Sequence, residues 1–206
     1  MTENQHLIDH LIARGALQSP SIIEAFKCCD RILFVPDALQ SETYGDYPLP
    51  IGEGQTISQP ATVAIMLELL QPETGNKILD IGSGSGWTTA LLASIVGKEG
   101  FVEGLERIPF LVQFSRKNLQ KAHINNASIT LADPSTLGKP GNFYDRILVS
   151  ASAKNMPKSL LNQLKNGGIL VIPIENSVWR FTKNTDGTID AYELPGFCFV
   201  PLIVPS

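Results

Sequence analysis

The segment LDIGSGSGW, residues 79–87, has the residue types of a ligand-binding turn. An apolar run ends at Asp80, and glycines follow at Gly82, Gly84 and Gly86 before an apolar stretch with helical spacing. Glycine adopts positive φ and lets a ligand approach the backbone closely. In an open α/β sheet, such a turn at the carboxyl end of a strand predicts a site for a nucleotide-like ligand.

The spacing of the glycines discriminates between nucleotide-like ligands. A dinucleotide fingerprint, G-x-G-x-x-G, needs a glycine at the position of Trp87, and a P-loop needs a Gly-Lys-Ser/Thr sequence that this chain lacks. The segment therefore favours an adenosyl group without a pyrophosphate. The alternative is a glycine-rich tight turn that binds no ligand.

Two further acidic residues follow the next predicted strands. Glu106, with Gly104 close before it, lies about 20 residues after the glycines, the spacing of a carboxylate that binds ribose hydroxyls. Asp133 follows the next strand, where a carboxylate can accept a hydrogen bond from an adenine amino group. Each alone is compatible with an ordinary loop carboxylate. Together with Asp80 they predict a pocket for S-adenosylmethionine.

The proline- and glycine-containing segment DYPLPIGEGQTISQP, residues 46–60, is the second candidate for a functional element. Prolines stiffen a loop and glycines admit another backbone, as in the wall of a binding site. Thr56 and Ser58 near its end have a second interpretation, because serine and threonine are common N-caps and a helix is predicted to begin near residue 60.

The elements that position these residues alternate between helical and strand patterns. The predicted helices are 4–17, 20–29, 62–70, 87–96, 109–122 and 157–165. The predicted strands are 77–81, 101–106, 127–132, 144–151 and 167–174, followed by strand-like runs at 177–182, 189–194 and 198–203. The alternation predicts an α/β fold with a mainly parallel central sheet, helices on both faces and antiparallel strands added by the C-terminal part.

Composition restricts the class of protein. The chain has 206 residues, of which 43% are apolar and 17% charged, so we expect a globular protein of one domain. A net charge of −4 argues against nucleic acid as a partner, and no apolar run approaches the ~20 residues of a membrane span. Cys28, Cys29 and Cys198 show no pairing pattern and the N-terminus no signal-peptide pattern, so a cytoplasmic location is expected.

The chain lacks the patterns of hydrolases and metalloenzymes. His6, His10 and His123 are scattered, no Cys/His cluster has metal-ligand spacing, and no G-x-S-x-G motif is present. We predict no metal site.

Several segments resemble the protein-L-isoaspartate (D-aspartate) O-methyltransferase family. RILFVP, residues 31–36, is similar to its Arg-x-x-Phe-Val-Pro segment, and YGDYPLPIGEGQTISQP, residues 44–60, to its signature segment. The runs LDIGSGSGWTTALLA, GLERIPFLVQFSRKNL and LKNGGILVIPI are similar to its cofactor blocks and final core strand. FVPL, residues 199–202, resembles its C-terminal end, so the resemblance covers most of the chain.

The resemblance implies a Rossmann-like S-adenosylmethionine-dependent methyltransferase fold. One domain would comprise N-terminal helices and a substrate-framing loop in residues 1–60, a cofactor-binding core in 61–175 and C-terminal strands in 176–206. The implied reaction converts S-adenosyl-L-methionine to S-adenosyl-L-homocysteine by methylating the free α-carboxylate of L-isoaspartyl residues in damaged proteins or peptides. The ester then forms a succinimide, which initiates repair. A monomer or weak homo-oligomer is expected.

The resemblance also implies roles for individual residues. Ser58 is the predicted catalytic residue. The predicted cofactor-binding residues are Thr56, Asp80, Gly82, Ser83, Gly84, Gly86, Glu106, Arg107 and Asp133. The predicted substrate-binding residues are Ile57, Gln59 and Ala61.

Two single positions and one segment depart from the family pattern. Pro134 follows Asp133 where the family often has glycine, and Ala61 stands where members commonly have histidine or tyrosine. SASAKNMP, residues 150–157, replaces Thr-Ala-Ala-Ala-Pro-Glu-x-Pro and adds Lys154. An inactive or re-specialised protein that binds the cofactor but not isoaspartate is therefore the alternative. A nucleic-acid methyltransferase is disfavoured because its Asn/Asp-Pro-Pro-Tyr/Phe motif is absent.

Overall fold

The chain alternates helices with strands, and the computed structural model describes residues 2–203. The helices are α1 (Glu3–Ala13), α2 (Pro20–Cys28), α3 (Pro60–Leu70), α4 (Trp87–Val96), α5 (Pro109–Lys121) and α6 (Lys158–Leu161). The strands are β1 (Leu49–Gly52), β2 (Gln55–Ile57), β3 (Lys77–Ile81), β4 (Phe101–Glu106), β5 (Ala127–Leu131), β6 (Tyr144–Val149), β7 (Leu164–Ile174), β8 (Ser177–Lys183) and β9 (Ile189–Pro195). Two short 3-10 helices occupy Arg31–Phe34 and Asp37–Glu42.

The large sheet has the strand order β5-β4-β3-β6-β7-β8-β9. The strands β3 to β7 pair in parallel, whereas β8 and β9 are antiparallel additions at one edge. The predicted fold class is confirmed. The chain proceeds from β3 outward to β5 and then returns to the other side of β3 with β6. This change of direction places a ligand-binding crevice at the carboxyl ends of β3 and β6.

Both faces of the sheet are buried, because its central strands are almost wholly apolar. In β3, Ile78 packs in the cluster that includes α1 to α5, while the neighbouring Leu79 packs in the cluster on the opposite face with α6. Val171 and Ile172 of β7 divide between the two faces in the same way. Within residues 2–203, none of the helices has the length and apolar character needed to cross a bilayer.

Two predicted elements are wrong near the C-terminal part of the sheet. The helix predicted for 157–165 is confined to α6, because Gln163 is turned into the start of β7. Its carbonyl accepts from the Tyr144 N–H at 2.9 Å, and its side-chain oxygen accepts from the Lys139 N–H at 2.7 Å. The predicted strand 198–203 is also absent from the described chain, where only Pro201 forms an isolated bridge, to Ser152.

A hairpin occupies the segment that the sequence pattern suggests is a loop. The strands β1 and β2 pair antiparallel, with Leu49 opposite Ile57 and an irregularity after Pro50. Positive φ values of 53° at Glu53 and 69° at Gly54 close its tip. Strand alternation buries Ile57 and exposes its neighbour Thr56, so the two residues face different surroundings.

A carboxylate from before this hairpin caps helix α3. Asp46 accepts a hydrogen bond from the Ala61 N–H at 2.9 Å, while the N-cap residue Gln59 makes no side-chain capping bond. Neither the Thr56 nor the Ser58 hydroxyl makes a capping bond among the contacts of residues 2–203. The capping interpretation of these two residues is therefore wrong.

Replacing Asp46→Ala should lower the free energy of unfolding by about 0.5–2 kcal/mol, because the first turn of α3 loses its side-chain acceptor. Ser58→Ala is the matched control and should change it by less than about 0.5 kcal/mol. Urea unfolding of both variants measures the difference. Equal losses would mean that Ser58 also caps the helix.

Candidate active site

The main cleft lies at the carboxyl ends of β3, β4, β5 and β6, where the sheet topology places a ligand site. Its volume is about 390 Å³, within the ~300–1,000 Å³ typical of small-molecule sites. The strand ends contribute the floor, the tip-proximal residues of the hairpin one wall, and the C-terminal segment 200–203 another. This segment is held by two backbone hydrogen bonds of 2.8 Å to Ser152.

The glycines of the turn after β3 are required by its backbone geometry. Gly82, Gly84 and Gly86 have φ values of 82°, 52° and 87°, in the left-handed region that favours glycine. Added Cβ atoms would also meet neighbours, 3.4 Å from Ile51 at Gly84 and 3.2 Å from Ser115 at Gly86. The turn is therefore both left-handed and closely packed, and the first two of these glycines line the cleft.

Glu106 is fixed in the cleft by two backbone N–H groups. Its Oε2 accepts from Gly84 at 3.0 Å and its Oε1 from Ile108 at 2.9 Å, although the residue is only 5% exposed. Hydrogen bonds from N–H groups to a carboxylate are among the stronger ones. Each carboxylate oxygen keeps further acceptor capacity toward the cleft. The predicted ribose-binding residue is therefore preorganised to accept hydroxyl groups.

Asp80 is a fully buried carboxylate beneath the glycine turn. Its Oδ2 accepts from the Thr89 hydroxyl at 2.6 Å, but its Oδ1 has no hydrogen-bond partner within the described chain. Burial raises the pKa of Asp80 to about 7, the Glu106 carboxylate adds to the rise, and the Thr89 hydrogen bond opposes it. The Ser83 hydroxyl is likewise buried without a partner among residues 2–203.

Asp133 and Arg107 are exposed residues that line the cleft. One oxygen of Asp133 accepts from both the N–H and the hydroxyl of Ser135, at 2.8 and 2.6 Å. These hydrogen bonds lower the pKa of Asp133, so the group is ionised at neutral pH. Pro134, one of the departures from the family pattern, also lines the cleft.

The structure separates the predicted residues of the hairpin segment. Thr56 lies in the cleft wall together with Gln55, which the sequence did not single out. The cleft lining, as described for residues 2–203, does not include Ser58, Ile57, Gln59 or Ala61. The contacts predicted for these four residues remain predictions.

Sequence reasoning also missed Ser150 at the carboxyl end of β6. It lines the cleft, and its N–H donates to the Ile81 carbonyl at 2.9 Å across the switch point of the sheet. The rule that ligands bind beyond the strand ends at a switch point is the signal that identifies it. Of the divergent segment 150–157, only Ser150 and Ala151 line the cleft, whereas Lys154 is exposed elsewhere.

The donors and acceptors of the cleft suit an adenosyl ligand with a cationic, amino-acid end. Glu106 and Asp133 provide carboxylates at successive strand ends of the cleft. The unpartnered atoms of Asp80 and Ser83 are buried next to the cleft residues Ile81, Gly82 and Gly84, but Asp80, Ser83 and Gly86 are outside the cleft lining of residues 2–203. The turn has Trp87 in place of the third glycine of a dinucleotide fingerprint, and it has no P-loop lysine. The geometry therefore fits S-adenosylmethionine and not a dinucleotide.

Comparison with known proteins decides the family. The chain matches the Protein-L-isoaspartate(D-aspartate) O-methyltransferase (PCMT) family over residues 2–205. The chain belongs to this family. The resemblance seen in the sequence is thereby confirmed.

Relatives of similar length support the assignment. The chain is 42% identical to a protein-L-isoaspartate O-methyltransferase of Ignicoccus hospitalis, covering 98% of this chain and 97% of the relative. It is 44% identical to one from Methanopyrus kandleri, covering 97% and 90%. A Plasmodium falciparum structure of this type, in complex with S-adenosyl-L-homocysteine, superposes with a TM-score of 0.86 at 29% identity, covering 98% and 99%.

The buried Asp80 predicts a pH dependence of stability in the unliganded protein. Its pKa rises from 3.8 to about 7, so the folded state binds its proton more tightly than the unfolded chain does. Its contribution to stability is full below the unfolded pKa and is lost as pH rises through about 7. Asp80→Asn cannot ionise, so its free energy of unfolding should rise relative to the wild type with increasing pH.

Denaturant unfolding of the unliganded proteins from about pH 5 to about pH 8 measures this difference. Asp133→Asn is the control, because the pKa of Asp133 is lowered and its titration lies below this range. Parallel pH profiles for Asp80→Asn and the wild type would contradict the prediction.

Glu106→Gln should weaken binding of S-adenosyl-L-homocysteine about 10- to 100-fold, corresponding to the ~1.5–3 kcal/mol of a hydrogen bond to a charged group. Titration calorimetry measures the dissociation constant. Glu103→Gln is matched, since Glu103 lies on the same strand but accepts from the Tyr144 hydroxyl outside the cleft. A similar loss in both variants would show a general effect on β4.

Proposed function

We propose that the cleft binds S-adenosyl-L-methionine and methylates the free α-carboxylate of L-isoaspartyl residues in damaged proteins or peptides. One observation carries this proposal: the signature hairpin forms a wall of the same cleft whose floor holds the glycine turn and Glu106. A cofactor on the strand ends and a substrate beside the hairpin therefore meet in one cleft. The product ester then forms a succinimide, which initiates repair.

The cofactor-binding residues follow from the strand ends. We assign the ribose to Glu106, the adenine to Asp133 and the amino-acid end to Asp80 with the turn from Gly82 to Gly86, with Ser83, Arg107 and Thr56 completing the site. When bound, the cofactor supplies an electrophilic methyl group on a sulfonium. The preorganised Glu106 and the left-handed glycine turn require little rearrangement to hold it.

The α-carboxylate that accepts the methyl group has to be positioned, but it does not have to be deprotonated by a general base. A carboxylate is ionised at neutral pH, so no protein group has to remove a proton. Orientation of two reacting groups can contribute up to ~7–11 kcal/mol in ideal cases. The hairpin and the segment 200–203 form two walls of the cleft within which the two groups are oriented.

We propose that Ser58 positions the substrate or cofactor by hydrogen bonding, with Ile57, Gln59 and Ala61 contributing to the substrate channel. Support comes from the segment's anchoring: the Ser58 carbonyl accepts from Arg31 at 3.1 Å. Thr56, two residues earlier, already lies in the cleft wall.

The alternative of a binding protein without methyl transfer is not supported. Relatives named as the enzyme match at 42% and 44% identity over nearly the whole chain. Of the three departures, Ala61 lies outside the cleft lining among residues 2–203, and segment 150–157 reaches the cleft only at its first two residues. Pro134 is the departure that bears directly on the adenine end.

We further propose that residues 1–206 form a single methyltransferase domain, a monomer or weak homo-oligomer, that acts on isoaspartyl proteins and peptides and has no nucleic-acid partner. One hydrophobic cluster joins the N-terminal helices to the sheet, which supports a single domain. The three cysteines are free thiols, as in a reducing compartment such as the cytoplasm.

The decisive experiment compares two peptides that differ only in isoaspartate versus aspartate. With labelled S-adenosyl-L-methionine, we expect methyl transfer to the isoaspartyl peptide alone. Ser58→Ala should lower kcat/KM about 10-fold or more, as expected for the loss of a hydrogen bond to a charged group. Thr56→Ala is the matched variant in the same segment.

The possible outcomes test the substrate assignment separately from the cofactor assignment. Transfer to neither peptide, with cofactor binding intact by calorimetry, would contradict the substrate assignment and leave the cofactor assignment standing. Unchanged activity of Ser58→Ala together with a loss in Thr56→Ala would transfer the positioning role to the residue already in the cleft wall.

A further inference from the structure

Arg31, the first residue of the RILFVP segment, is buried to 0% exposure and lies outside the cleft lining. Its guanidinium donates to four backbone carbonyls. Nη1 contacts those of Thr43 and Gly45, and Nη2 contacts those of Tyr47 and Ser58, the last two at 3.1 Å. No carboxylate lies within ion-pair distance of it among residues 2–203.

These four carbonyls lie on the two sides of the hairpin base. Thr43, Gly45 and Tyr47 precede strand β1, whereas Ser58 directly follows strand β2. Arg31 therefore closes the base of the hairpin whose second strand supplies Gln55 and Thr56 to the cleft wall. Deleting this guanidinium would remove the donor to the buried Thr43 carbonyl and to three partly buried carbonyls, which is costly.

The same guanidinium also contacts the cofactor side of the site. It lies over the Trp87 ring, 5.4 Å from the centroid, and Trp87 is the first residue of α4 directly after the glycine turn. The indole is itself fixed by a 3.0 Å hydrogen bond to the Cys29 carbonyl and by edge contact with Phe26. One side chain thus joins the hairpin base to the helix that begins at the glycine turn.

The hairpin and the turn also touch directly at the cleft. An added Cβ at Gly84 would lie 3.4 Å from the Cδ1 atom of Ile51 in β1, so the Ile51 side chain packs against the backbone of the turn there. The tip side of the hairpin contacts the turn through Ile51, and its base is fixed through Arg31. Both ends of the hairpin are thereby positioned relative to the glycine turn and the start of α4.

We infer that Arg31 is a positioning residue for methyl transfer: by holding the hairpin base against the start of α4, it sets where the acceptor lies relative to the cofactor. The inference rests on the function proposed above. Arg31 contacts neither the glycine turn nor Glu106, so its loss should reduce use of the substrate far more than affinity for the cofactor, to which the hairpin contributes only Thr56.

Lysine cannot replace this residue, because its single ammonium has no planar fork to reach carbonyls on two sides of a hairpin. Arg31→Lys is therefore the test variant. Arg146→Lys is its matched control: Arg146 is 8% exposed and donates to the Gln71 carbonyl at 2.9 Å, near the amino end of β6 and outside the cleft lining of the described chain. Both variants lose a buried guanidinium.

Three measurements are made on each variant. In Arg31→Lys, kcat/KM for the isoaspartyl peptide should fall about 10-fold or more, since a displacement of about 1 Å can cost ~100-fold. The dissociation constant of S-adenosyl-L-homocysteine should change less than about threefold. With that ligand saturating, which favours the folded state, amides of residues 49–57 should exchange with solvent faster. Arg146→Lys should show neither the kinetic loss nor the faster exchange.

Hydrogen exchange separates this inference from the proposed function. If the wild type methylates no isoaspartyl peptide, the proposed function fails, while exchange in residues 49–57 still reports whether Arg31 holds the hairpin. The inference is overturned by unchanged exchange there, by equal kinetic losses in both variants, or by cofactor affinity falling as much as kcat/KM. Arg31→Gln, a neutral planar donor, provides the same tests if Arg31→Lys does not fold.

Discussion

The cleft depends on the two hydrogen bonds that the Glu106 carboxylate accepts from backbone N–H groups. By accepting from the backbone of Gly84 and of Ile108, this carboxylate ties the turn after β3 to the segment after β4. The two strands are neighbours in the sheet, so a single side chain fixes the relative positions of both strand ends. A rigid floor of this kind lets the remaining parts of the site, the hairpin and the C-terminal segment, be added as walls.

Buried polar groups near this floor illustrate a conflict between stability and binding. Asp80 is buried with one oxygen unpartnered in the described chain, and the same holds for the Ser83 hydroxyl. Burying a polar group without a partner destabilises the folded state. Unsatisfied buried polar groups are typical of functional sites, where local stability is lowered, and these two lie next to the floor of the cleft.

The N-terminal part of the chain fixes the hairpin that forms one wall of the cleft. Asp46 caps α3, and Arg31 closes the hairpin base against Trp87. Both contacts attach a segment rich in proline and glycine to regular elements. The hairpin consequently forms a defined wall of the cleft, even though its own two strands are too short to be stable alone.

The sequence by itself determined the sheet class, the glycine turn and the strand-end carboxylates Glu106 and Asp133, because these depend on local periodicity and on the rule that parallel strands end at one edge. Tertiary structure alone decided the rest. The side chain of Gln163 ends a predicted helix, strand pairing turns residues 49–57 into a hairpin, and Arg31 binds carbonyls far away in the chain. Such contacts between distant residues leave no local pattern in the sequence.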